Sequence, residues 1–179
     1  MKNMWICPSC GKEVETEIVQ KEETLSVKGK LFTFLVSVRV CVDCGEEIID
    51  EKLDGETLRL FYDEYKKSEQ LLTAEEIKEI RAKYCLSQSS FSKLLGFGEK
   101  TITRYENGSI QDVCHDNLIR LMKDIHSFRA IWNVRKGVLT ADENSKIEQL
   151  IQDQDSSKKN KSMDSISGTF QIRNKRSAP

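Results

Sequence analysis

LSQSSFSKLLGFGEKTITRYENG, residues 86–108, is the stretch whose reading decides how the C-terminal part of this chain folds. Ser87 is placed to cap a first helix, on which Phe91, Leu94 and Leu95 recur at helical spacing. Gly96-Phe97-Gly98 interrupts that pattern and supplies the backbone freedom of a tight turn. A second helix is predicted from Glu99 to Asn107-Gly108, a C-terminal stop signal. Its inward face needs only Ile102 and Tyr105, which leaves Lys100, Thr101, Thr103, Arg104 and Asn107 pointing elsewhere. A short helix that presents hydrogen-bonding side chains from a rigid two-helix support meets the requirement for reading a DNA major groove. An ordinary helical hairpin with a polar outer face has the same spacing.

Upstream, Cys7-Pro8-Ser9-Cys10-Gly11 and Cys41-Val42-Asp43-Cys44-Gly45 form two C-x-x-C-G turns. Each pair can deliver two thiolates to one ion, and a glycine after the second cysteine lets the backbone fold beneath it. Four thiolates predict a closed, structural, tetrahedral zinc site with no open position for water. The paired loops are also similar to those of rubredoxin, an iron protein. Rubredoxin sites are packed with aromatic residues, whereas here only Trp5, Phe32 and Phe34 are at hand, so zinc is the preferred ion. A thioredoxin-like dithiol needs a βαβ setting that this sequence lacks.

Between the cysteine pairs the pattern is β. Val14, Thr16 and Ile18 alternate with acids; after a turn at Lys28-Gly29-Lys30, Phe32, Phe34, Val36, Val38 and Val40 alternate up to Cys41. A unit this small depends on its ion for a stable fold. It is mildly acidic, with six Lys/Arg against nine Asp/Glu in residues 1–50, a charge that suits a protein partner better than DNA. Leu58, Phe61, Tyr62 and Tyr65 then predict a connecting helix with one apolar face. Thr73 and Glu76 form a capping box, with Leu72 and Ile77 as its hydrophobic staple, opening a helix to about Tyr84.

After the central stretch, Cys114, Leu118, Leu121, Met122 and Ile125 predict a further helix, with Cys114 and Cys85 as small core residues and both histidines at the surface. Phe128, Ile131, Trp132 and Val138 mark another helix. A second capping box at Thr140–Glu143 begins a short one through Ile147, Leu150 and Ile151. From Asp153 the composition predicts a disordered tail, basic by six Lys/Arg against two Asp/Glu in residues 155–179 and able to touch phosphates non-specifically.

The fold class is therefore α+β: a small N-terminal β zinc ribbon (1–53), a connecting helix (54–72), an all-α bundle (73–139), a short helix (140–152) and a tail (153–179). No apolar run reaches the length of a membrane span and no secretory signal opens the chain, which predicts a cytoplasmic protein. With 38% hydrophobic and 32% charged residues and a net charge of −1, any nucleic-acid footprint has to be confined to one face. Six cysteines without a signal peptide argue for metal before disulfides. No convergent acid, base and nucleophile, no phosphate-binding glycine loop and no open metal position mark an enzyme.

Two resemblances sharpen this. The S-Q-x-x-F-x-x-L-L-G run from Ser87 and the T-I-T-R-Y-E-N-G run to Gly108 resemble the helix-turn-helix of the Cro/phage-repressor (XRE) family. The resemblance implies that the helix opened by Gln88 supports a recognition helix, from Glu99, in the major groove. Gln88, Ser89 and Lys93 would then hold phosphates. Lys100 and Arg104 fall on the two principal base-reading positions, and Thr101, Thr103 and Asn107 complete the outward set. The whole arrangement of residues 1–125, a C-P-x-C-G and C-x-x-C-G-E ribbon followed by that domain, resembles the MqsA (YgiT-type) antitoxins. That family's pattern has asparagine where Lys100 stands. The likeness implies a homodimer that represses its own operon at a palindromic operator in double-stranded DNA, and a zinc domain that neutralises a toxin. The alternative on sequence grounds is a stand-alone regulator whose ribbon is structural or binds another protein.

Overall fold

The computed structural model describes residues 5–167, with side chains as far as residue 156. It is α+β, with five strands leading into a series of helices. The chain forms two compact units. The first is drawn from the chain up to Lys78 and from Thr103–Asn117, the second from Glu79–Ile102 and from Leu118 onward.

In the first unit, β1 (Trp5–Ile6) and β2 (Glu13–Val14) make a miniature antiparallel pair. The long strands β3 (Thr16–Val27) and β4 (Lys30–Cys41) form a regular hairpin, and β5 (Glu47–Ile48) pairs with the end of β4. The predicted turn is present. Lys28 and Gly29 both take positive φ, 48° and 86°, the primed geometry whose twist matches the flanking strands. The even residues Phe32, Phe34, Val36 and Val38 share one face of β4, and the core there is built on Val27, Val36 and Phe61.

Two readings of this region shift. The alternation through Val14, Thr16 and Ile18 spans two strands of different sheets, broken at Glu15, so Val14 is buried while Ile18 is exposed. Phe32 and Phe34 pack in the Val27–Phe61 core, and Trp5 is the aromatic beside the cysteines.

Helix α1 (Glu51–Ser68) begins earlier than predicted because Asp50 caps it, its carboxylate accepting from the Lys52 and Leu53 amides. It lies against β3 and β4 as part of their core, with Phe61 fully buried and Phe34 meeting it edge to face. It is thus more than a connector. Beyond it, the buried Leu72 has its N–H donated to Asp116 and its carbonyl bonded by Gln111, a polar junction inside the same unit.

Helix α2 (Ala74–Ala82) opens on the predicted capping box, with Thr73 Oγ1 accepting from the Glu76 amide at 3.2 Å and Glu76 accepting from the Thr73 amide at 3.0 Å. Helices α3 (Gln88–Leu95) and α4 (Thr101–Glu106) are the pair read from residues 86–108. Ser87 caps α3, accepting from Ser90 N–H at 3.0 Å. Gly96 ends it in the left-handed region at φ 79°, and Gly108 at φ 101° follows α4. The buried Ser92 hydroxyl accepts the Ile102 amide at 3.2 Å, pinning the start of α4. That start is Thr101, two residues later than predicted.

The boundary between the two helices predicted here falls earlier than expected, so that Met122 lies beyond the first and Ile125 opens the second. Helix α5 (Val113–Leu121) ends before Asp124, which caps α6 (Ile125–Arg135) by accepting from Ser127 N–H at 2.8 Å. The buried face of α5 runs through Asp116 and Ile119 and continues into Met122 just past its end, so Cys114 and Leu121 are exposed. Cys85, predicted as core, is also exposed, in a left-handed turn (φ 54°) between the buried Tyr84 and Leu86.

The second unit closes on Tyr84, stacked on Phe128 and donating to the Met122 carbonyl at 2.5 Å. Helix α7 (Ala141–Ser167) starts on the predicted Thr140–Glu143 box and buries Ile147 and Ile151. It continues past residue 152, where the sequence reads as tail; residues 168–179 lie outside the described part of the chain. Among the described residues no helix is long and apolar enough to cross a membrane.

Candidate functional site

The cysteines are presented by two hairpin knuckles. In the first, Gly11 N–H returns to Cys7 O at 2.9 Å and Cys7 N–H to Lys12 O at 3.1 Å; in the second, Gly45 N–H returns to Cys41 O at 2.8 Å and Cys41 N–H to Glu46 O at 2.9 Å. Gly11 and Gly45 take φ of 67° and 74°, so the glycine after each pair is required by the turn itself.

The four sulfurs of Cys7, Cys10, Cys41 and Cys44 lie within 4.8 Å of one another, and Cys7 Sγ and Cys44 Sγ are 3.6 Å apart. A tetrahedron of thiolates around a metal at about 2.3 Å has edges of about 3.8 Å. Donor chemistry and spacing therefore fit one tetrahedral ion, and these four residues can hold it. Cys10 N–H also points at Cys7 Sγ at 3.4 Å, the amide support that thiolate ligands receive. That amide draws the Cys7 thiol down to about 7, while Cys44 and then burial push Cys10 up to about 12. Among the described residues, Cys85, Cys114, His115 and His126 form no such group; His115 Nδ1 instead meets Tyr105 Oη at 2.7 Å.

Arg39 was not singled out by the sequence. Its guanidinium lies 4.5 Å from the Trp5 ring centroid and bonds Asp50 and Thr16, each at 2.9 Å. The hydrogen bond from Arg39 holds the Asp50 carboxyl below the usual carboxylate range. The signal that could have found it is its position two residues before Cys41, matching Trp5 two residues before Cys7.

Gln88, Ser89 and Lys93 are carried by α3 in the second unit, with Glu99 and Lys100 in the turn before α4. Three of these meet: Glu99 accepts from Ser89 Oγ at 3.0 Å and pairs with Lys93 at 3.4 Å, and the Ser89 bond leads the fall of its carboxyl below the usual range. The Lys93 charge is therefore already partly answered by an acid. Arg135 reinforces this end of α3 by donating to the Lys93 carbonyl at 3.0 Å. Lys100, Arg104 and Asn107 are exposed and Thr103 half-buried. Thr101 departs from the predicted outward set. It is only 5% exposed, because as the first residue of α4 it packs back on the Gly98 turn.

No curated protein matches the chain. The family model for MqsA, described as the antitoxin component of a bacterial toxin-antitoxin system, matches residues 4–133, a span that holds all four clustered cysteines and helices α1 to α5 entire. The chain belongs to the MqsA antitoxin family.

Proposed function

We propose that this protein is a DNA-binding antitoxin that acts by binding alone. A zinc-pinned ribbon engages a toxin, and α3 with α4 serves as a helix-turn-helix that represses the protein's own operon from the cytoplasm. The observation that carries the reading is the matched span, which includes both the four-thiol cluster and the α3–turn–α4 pair. Zinc is the ion such a closed thiolate set holds best without redox chemistry. Its role there is structural: it ties the two knuckles together. The acidic ribbon suits the basic surface of a nucleic-acid-cutting toxin.

At DNA, Gln88, Ser89 and the α3 amides contact phosphates and set register, with Lys93 adding charge once it exchanges Glu99 for phosphate. Arg104 reads guanine by a bidentate contact, and Lys100 reaches the same groove edge less rigidly. Thr103 and Asn107 flank them. A homodimer places two such helices on a palindrome with half-sites about one helical turn apart, or a multiple of it.

The test is a titration of the intact protein against its own promoter duplex and a scrambled one at two salt concentrations. Arg104→Ala costs about 1–3 kcal/mol on the promoter and little on the scrambled duplex. Lys93→Ala weakens both alike and lowers the salt slope by about 1. Equal losses on both duplexes for Arg104→Ala remove it from base reading. No sequence preference in the wild-type protein ends the repressor reading.

A further inference from the structure

We infer that Arg39 is a positioning residue that couples metal occupancy of the ribbon to helix α1. The inference rests on the reading that the four thiols hold a metal. The two knuckles repeat along the chain: Cys7, Cys10 and Gly11 recur as Cys41, Cys44 and Gly45. The strand pairs Trp5↔Val14 and Ile6↔Glu13 recur as Arg39↔Ile48 and Val40↔Glu47. Trp5 and Arg39 therefore occupy equivalent places, and they face each other across the repeat, cation on indole, at 4.5 Å.

That contact spans a gap in the fold. β1 and β2 form a sheet separate from β3, β4 and β5, with two paired residues in each strand. Among the described residues no strand ladder holds the first knuckle to the second; they meet through the exposed Lys12–Asp43 ion pair at 3.0 Å, the Val42 amide on the Glu15 carbonyl at 3.1 Å, and the packing of Val14 with Cys41 and Ile48. A metal joins them directly, and Arg39 does so from the outside. The same guanidinium donates through Nε to Asp50 Oδ2 and through a terminal nitrogen to Thr16 Oγ1. Its side chain is 18% exposed and that of Asp50 is 10% exposed. The other Asp50 oxygen accepts the Lys52 and Leu53 amides at 3.1 and 3.4 Å, the first turn of α1. A continuous set of contacts therefore runs from the first knuckle through Trp5, Arg39 and Asp50 into α1.

The direction of the effect follows. With metal bound, the first knuckle is fixed, Trp5 is seated on the guanidinium, and the planar fork is aimed at Asp50. Without it, the first knuckle keeps only the exposed Lys12–Asp43 pair, the Val42–Glu15 hydrogen bond and the packing of Val14, so its two short strands loosen and Trp5 loosens with them. Arg39 then loses the surface that sets its plane, and the Asp50 cap loosens. Occupancy at the thiols is thereby reported at the start of α1, a helix that packs on the long hairpin.

The experiment uses the full chain loaded with zinc alone. It follows hydrogen exchange at the Lys52 and Leu53 amides before and after chelation, together with the rate of zinc transfer to the chelator. In wild type, chelation speeds exchange at these two amides by about five- to tenfold, the worth of a lost helix cap. In Arg39→Met, which keeps the apolar stem and removes the fork, exchange there is already fast with zinc bound and hardly responds to chelation. Zinc is released about tenfold faster. A purely structural role would instead speed exchange along all of β3 and β4 in both states.

Asp50→Asn keeps a capping oxygen and removes the ion pair, so it too loses the zinc response at Lys52 and Leu53, and it serves if Arg39→Met fails to fold. A wild-type response to chelation in either variant overturns the coupling. So does a wild-type chain that binds zinc without any response at the two amides. A wild-type chain that binds no metal overturns the metal reading and the coupling with it.

Discussion

Replacing Phe61 with alanine tests whether α1 belongs to the core of the ribbon or only links two parts of the chain. Phe61 is fully buried between Val27 and Val36 and meets Phe34 edge to face, ring centroids 5.1 Å apart and planes at 74°. Withdrawing a buried phenylalanine from water accounts for about 1.5–3 kcal/mol. The edge-to-face contact contributes about 0.5–1.5 kcal/mol more. The space left between a helix and a hairpin of two twelve-residue strands collapses only in part, which brings the expected loss to about 3–5 kcal/mol.

Leu58, on the same helix but 42% exposed, supplies the comparison, and its truncation costs about 1 kcal/mol. Native-state hydrogen exchange of the metal-loaded chain, read at the α1 amides, measures both. Phe61→Ala lowers protection by a factor of about 10² to 10³ or more, and Leu58→Ala by about fivefold. A loss below about 1 kcal/mol for Phe61→Ala, or equal losses for the two variants, refutes the assignment of α1 to this core.

The metal and the ion pair beside it give two further predictions. Chelation, or acidification that returns protons to the thiolates, releases the ion and makes the knuckles protease-sensitive; Cys7→Ser lowers metal content, whereas the exposed Cys85→Ser leaves it unchanged, as measured by elemental analysis. Because Arg39 depresses the Asp50 carboxyl, its stabilisation is fully present above the unfolded carboxylate value near about 4 and is lost as pH falls through the lower folded value, so wild type loses more of its melting temperature than Asp50→Asn between about pH 5 and pH 2.

The parts of the fold that sequence made legible are those governed by local chemistry. The two capping boxes, the Ser87 cap, the Lys28-Gly29 turn and the glycines after each cysteine pair need only a few neighbouring residues, and each stands where the sequence placed it. The cysteine cluster was legible because thiolate pairs at C-x-x-C spacing have few other uses. What was not legible depends on long-range partners. Asp116 and Gln111 look like surface residues by type, yet they are buried because they satisfy the backbone of Leu72, about forty positions away. The buried face of α5 therefore carries a carboxylate, and apolar periodicity alone puts Cys114 on the wrong side. Helix spacing points Thr101 outward, but the turn before it decides its packing. Arg39 sits in an alternating strand where nothing local announces that Trp5 and Asp50 will converge on it.

The central claim is a division of labour, in which the metal-pinned ribbon takes a toxin and α3 with α4 takes an operator. The measurement that tests it most directly is binding by three full-length chains, wild type, Cys7→Ser and Arg104→Ala. Each is titrated against the product of the neighbouring gene and against the promoter duplex. The account predicts a crossed result: Cys7→Ser loses the toxin and retains the promoter, while Arg104→Ala retains the toxin and loses about 1–3 kcal/mol on the promoter. Toxin binding at wild-type strength by Cys7→Ser, or toxin binding lost in Arg104→Ala, would contradict it.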